Sequence, residues 1–106
     1  MFLGDYSIGQ TLGNQEFIFA SKVLGARMEV QKGNIENGTQ VLKGLLQTEL
    51  TTEQRAEIYF RLYEIYDSQE TFKVKAIEIY TKLVEKTPRY LYKDRLNQLI
   101  QIVDNS

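Results

Sequence analysis

Glu57, Glu64 and Glu78 are the carboxylates whose spacing invites a chemical role, since two acids on neighbouring helical turns could share acid–base work. That work needs neighbours that push the two pKa values apart, and nothing next to these three would do so. Glu78 is instead expected to pair with Lys82 one turn on. The chain has no histidine and no cysteine among its 106 residues. The usual general base, the usual metal ligands, thiol nucleophiles, zinc–thiolate sites and disulfides are therefore all missing. Leu12-Gly13-Asn14-Gln15-Glu16-Phe17 has the outline of a glycine-rich nucleotide loop, but Gln15 and Ile18 stand where later glycines would let the backbone approach phosphate. Asn37-Gly38-Thr39 fits the glycosylation pattern yet falls where a helix should be under way. Of the seven tyrosines, Tyr59, Tyr63, Tyr66 and Tyr80 lie on expected inter-helix faces and are assigned to packing. No catalytic residue, cofactor or metal site is expected, and hence no enzyme.

Charge points the same way. The net charge is −1, distributed unevenly: residues 1–72 hold 6 Lys/Arg and 10 Asp/Glu, while residues 73–95 hold 7 and 3. Nucleic-acid binding through Lys73, Lys75, Lys82, Lys86, Arg89, Lys93 and Arg95 would need a dense basic patch, and Glu78, Glu85 and Asp94 interrupt it. A solvated helix face is the simpler assignment. No run approaches the ~20 apolar residues of a membrane span. The N-terminus carries an acid, Asp5, and no base near it, unlike a secretory signal. A cytoplasmic protein is expected, or a trimmed piece of an exported or membrane-anchored one.

The elements that position these residues read as all-α. Gly33-Asn34 and Leu50-Thr51-Thr52 break the helical pattern, and Pro88 cannot continue a helix from before it. Thr51-Thr52 followed by Glu53-Gln54 has the form of an N-cap with a capping-box side chain downstream. Five helices are predicted, near 15–32, 35–48, 52–67, 70–86 and 88–104, with residues 1–14 irregular or folded over an edge. In helix 52–67, Ile58, Tyr59, Leu62, Tyr63, Ile65 and Tyr66 share an arc of roughly 160° at the helical period. Phe60 projects from the opposite side, among Glu57, Glu64 and Asp67, as either a lone exposed aromatic or an anchor for a partner.

The chain also repeats itself at an offset of 38 residues: Leu24 with Leu62, Met28 with Tyr66, Gly38 with Ala76, Val41 with Ile79, Leu42 with Tyr80, Leu45 with Leu83 and Leu50 with Pro88. Apolar meets apolar and small meets small, as in a tandem of helical hairpins.

Tyr59, Leu62, Tyr66, Phe72, Ala76, Tyr80 and Pro88 make residues 56–88 resemble the tetratricopeptide repeat, with one extra residue in the turn. Ile18, Leu24, Gly25, Met28, Gly38, Leu42 and Leu45 take the matching places in a first unit. The resemblance implies about two antiparallel helix–turn–helix units and a C-terminal capping helix across residues 15–106. In that cap, Tyr92, Leu96, Leu99, Ile100 and Val103 form the apolar face. Tyr63 and Leu83 depart from the family pattern, which wants small residues there; a splayed hairpin, or a Tyr63 hydroxyl turned to water or a polar partner, is expected.

The family receives extended peptides or partner helices on the concave surface of its first helices. Carried over, this selects Glu57, Phe60, Glu64 and Ser68 in the second unit and Phe19, Lys22, Ala26 and Glu29 in the first. With Glu57 and Glu64 on it, such a groove would suit a basic or amphipathic segment. The expected function is a non-catalytic protein–protein interaction scaffold; the alternatives are a self-assembling homo-oligomer subunit and, behind both, a helical nucleic-acid binder. Two units leave an apolar edge, and exposing side chains such as Phe17 and Phe19 there forgoes roughly 3–6 kcal/mol of burial. The N-terminal segment, a second copy or further repeats must cover it.

Overall fold

A computed structural model describes the backbone of residues 3–66 and 70–104 and the side chains of residues 14–66 and 70–100. Its described residues form five helices and no strand: α1 (Leu3–Gln31), α2 (Ile35–Leu45), α3 (Thr52–Ile65), α4 (Glu70–Lys86) and α5 (Tyr90–Asp104). The all-α hairpin class is as expected. The first helix starts earlier than expected: residues 3–14, read as irregular or folded over an edge, are helical and continue α1. The chain separates into two compact units, Met1–Val41 and Leu42–Ser106, with the boundary inside α2.

In the first unit, α1 ends because Gly33 adopts φ 97°, a conformation that suits glycine. The amide of Asn34 donates to the Glu29 carbonyl at 2.8 Å and that of Gly33 to the Val30 carbonyl at 3.0 Å. These two bonds make a Schellman stop, satisfying carbonyls that would otherwise be orphaned. The chain then turns back, and α2 packs on α1 through Gly38. A Cβ on Gly38 would lie 2.6 Å from the Ala26 carbonyl oxygen and 2.6 Å from Val30 Cγ2. Val23 and Ala26 are buried on that face.

In the second unit, α3 opens with the expected capping box. Gln54 N–H donates to Thr51 Oγ1, and Thr51 N–H donates to Gln54 Oε1, both at 3.0 Å. Helix α3 packs on α4, and α4 on α5. Their core joins Ala56, Phe60, Tyr63, Ala76, Ile79, Tyr80, Tyr92 and Leu99. Tyr63 is buried within it, and Ala56 and Ala76 supply the small surfaces. Tyr66 and Phe72 stack at 6.1 Å across the α3–α4 connection, with the Lys43 ammonium 5.7 Å from the Phe72 ring. Helix α4 stops at Lys86, and α5 starts two residues beyond Pro88. Pro88 therefore separates the two helices instead of opening the first turn of α5, as the predicted 88–104 boundary would have it.

Candidate interaction surfaces

Helix α3 is buried on two opposite faces, and this places Phe60 in the core, not on an open face. At about 100° per residue, Ala56, Phe60 and Tyr63 fall on one side and Ile58 and Leu62 on the other, all buried. Phe60 is only 3% exposed. Its ring meets Tyr80 edge-on at 6.2 Å and Tyr63 at 6.0 Å. Two guanidiniums complete its surroundings, Arg95 of α5 at 4.7 Å and Arg61 at 5.7 Å from the ring centre. Phe60 is thus a core residue covered by the capping helix, not an exposed anchor.

The acids beside it are engaged as well. Glu57 accepts from Arg61 Nε at 2.8 Å and from Arg95 Nη1; Glu64 accepts from Arg61 Nη1 at 2.8 Å. Arg95 also donates to the Tyr80 hydroxyl at 2.8 Å, and the Tyr92 hydroxyl donates to Glu53. Burial pushes the Glu57 carboxyl up, but the bonds and charges of Arg95 and Arg61 outweigh it and hold the group below its ordinary value. For Tyr80, burial wins and raises the phenol. Arg61 and Arg95 thus neutralise much of the negative charge that Glu57 and Glu64 bring to this face. Ser68, the fourth residue of that set, lies outside the described residues.

The set expected on α1 is not one free surface either. Ala26 is 1% exposed beneath Gly38, and Phe19 is half-buried. Glu29 holds Asn34 Nδ2 at 3.1 Å and Lys32 Nζ at 3.6 Å. Its carboxyl is lowered, chiefly by the Asn34 bond. Only Lys22 is fully open.

What α1 does present lies on its other side. Phe19, Val23, Ala26 and Val30 recur at helical spacing on the covered side. Round the cylinder, Ala20, Gln31, Leu24, Phe17, Met28, Ser21, Asn14, Gly25 and Ile18 fill an arc of about 160° without a charge. Phe17 is 71% exposed, Leu24 55% and Met28 48%. Glu16 and Arg27 border this arc on one side, Lys22 and Glu29 on the other. Leu24 and Met28, which the 38-residue register assigns to repeat packing, are thus open instead. The signal that finds the arc is that α1 carries apolar residues on two faces, although a hairpin helix buries one of them.

Among the described residues no three acidic side chains converge in a way that would hold a metal, and no helix is long and apolar enough to cross a membrane. No family model, curated protein or solved structure matches the chain.

Proposed function

We propose that this chain is a non-catalytic protein–protein interaction module, and that its receiving surface is the uncharged arc of α1. The carrying observation is the exposure of Phe17, Leu24 and Met28 in one stripe. Isolated exposed apolar residues are ordinary, but a contiguous patch with a charged rim has the composition of an interface. The resemblance of residues 56–88 to a peptide-holding repeat supports the same class of function. The occupant that fits is an amphipathic helix, laid along α1 with its own apolar face on the stripe.

A second copy of the chain is the other occupant with a specific observation behind it. In an antiparallel α1 pair centred near residues 22–23, Phe17 meets Met28, Ala20 meets Gly25 and Ser21 meets Leu24 of the second copy. Large then faces small across the middle, and Glu16 comes within two residues, roughly 3 Å along the axis, of the oppositely charged Arg27.

Leu24→Asp/Met28→Asp tests both occupants. Light scattering across a concentration series should show a dimer with the wild-type chain and a monomer with the variant if the occupant is a second copy. If the wild-type chain is monomeric throughout, affinity capture should recover a partner that the variant loses. Binding or dimerisation unchanged in the variant would exclude the arc.

A further inference from the structure

We propose that the groove between α3 and α4, on helices separate from the α1 arc, is a second binding site, for an acidic segment of a partner protein. The groove encloses about 400 Å³, within the ~300–1,000 Å³ of typical ligand sites. Leu50 and Ile79 give it an apolar floor; Arg55, Tyr59, Lys75, Glu78 and Lys82 supply its polar groups. Ten of the thirteen cations form no ion pair among the described residues, and Arg55, Lys75 and Lys82 are the three that line this groove. Arg61 and Arg95 are committed to Glu57, Glu64 and Tyr80, and Lys32 to Glu29. Arg55, Lys75 and Lys82 form no ion pair among the described residues, and even the expected Glu78–Lys82 pair is not made. The Tyr59 hydroxyl has no hydrogen-bond partner among them either. Three uncompensated cations against one carboxylate attract anionic groups into a concavity that also offers apolar contact.

The single acid decides which anion. Glu78 sits between Lys75 and Lys82 on the same face of α4, where its carboxylate repels a phosphodiester but can accept from a donor that a ligand brings. A peptide brings backbone N–H groups as well as carboxylates; a phosphodiester backbone brings acceptors only. The two lysines lie seven residues apart, about 10 Å along the helix. Three residues of polyproline-type extended chain cover nearly the same distance and return to the same side. An extended segment with acids three residues apart would therefore reach both lysines, with an apolar residue between them over Ile79.

The test is fluorescence anisotropy of the full chain with a labelled peptide repeating Glu-Leu-Pro, against the Lys-Leu-Pro repeat and a thymidine oligonucleotide, at physiological salt. Saturable binding of the acidic peptide alone is expected, weakened at least about tenfold by Lys75→Glu/Lys82→Glu, the factor that about 1.4 kcal/mol represents. Lys86→Glu/Lys93→Glu makes the same change in net charge outside the groove and should leave binding within about twofold of wild type, a smaller step on the same scale. Circular dichroism melts check that the variants fold, which exposed positions such as Lys75 and Lys82 favour. Absence of acidic-peptide binding would overturn the proposal. So would equal loss in both double variants, no loss in the groove variant, or tighter binding of the oligonucleotide. The Leu24→Asp/Met28→Asp chain should bind the acidic peptide normally, which separates this site from the α1 arc.

Discussion

Glu57 ties α3 to α5 through Arg95 and braces Arg61 on its own helix, so its loss should be read as stability. Replacing it with Gln removes the negative charge that faces both Arg61 and Arg95 and leaves Arg95, packed over Phe60, without its counter-ion. A cost of about 1–3 kcal/mol is expected for a partly buried charge-assisted bond. Because the folded carboxyl titrates below its ordinary 4.5, its contribution is complete above that value and is lost as pH falls through the lower folded value. Urea midpoints of wild type and Glu57→Gln should therefore differ by a constant amount near neutrality and converge in acid. A gap that persists in acid would mean that the carboxylate's charge is not what Arg95 needs. Phe60→Ala belongs at this scale too. With its ring enclosed by Tyr63, Tyr80 and Arg95, truncation should cost about 3–5 kcal/mol of folding free energy, whatever the partner.

At the scale of elements, the close approach of α1 and α2 depends on one missing methyl group. Gly38→Ala would drive a Cβ against the Ala26 carbonyl, which is backbone and cannot swing aside as Val30 can. Overpacking of this kind costs about 1–3 kcal/mol, despite the better helix propensity of alanine; a thermal melt showing no loss would mean that the helices can separate freely. The match of Gly38 with Ala76 at the 38-residue offset makes this position legible in the sequence, and both residues are buried. Helix α4, the capping box and the Gly33 stop were legible for a different reason: they depend on local chemistry. The faces of helices were less so. Leu24 and Met28 match Leu62 and Tyr66 in type, yet the first two are exposed while Leu62 is fully buried and Tyr66 half-buried. A repeat encodes equivalent residues, whereas exposure depends on which neighbours each helix has. The same limit hid Phe60. One apolar arc is the signature of a helix packed on one side, but α3 is packed on both, and α5 supplies the second cover through residues nearly forty positions away.

For the whole molecule, burial is distributed very unequally between the two units. Among the described side chains, Val23 and Ala26 are the buried apolar residues of the first unit, while the second holds twelve, from Leu42 to Leu99. Regions with few buried contacts open at lower free energy than the rest. Amide exchange over residues 14–31 should therefore run ahead of exchange over residues 56–63 in dilute protein. Raising the protein concentration then discriminates between the occupants of the α1 arc. Anything that binds only the folded helix stabilises it by mass action, so a second copy would slow exchange across residues 14–31 as concentration rises and leave residues 56–63 unchanged. In Leu24→Asp/Met28→Asp that concentration dependence should vanish while the slow exchange of α3 stays. If residues 14–31 exchange at one rate at every concentration, the second copy is excluded and the stripe is left to a different polypeptide. Protection of 14–31 equal to that of 56–63 in dilute solution would remove the premise that the first unit is the less stable of the two.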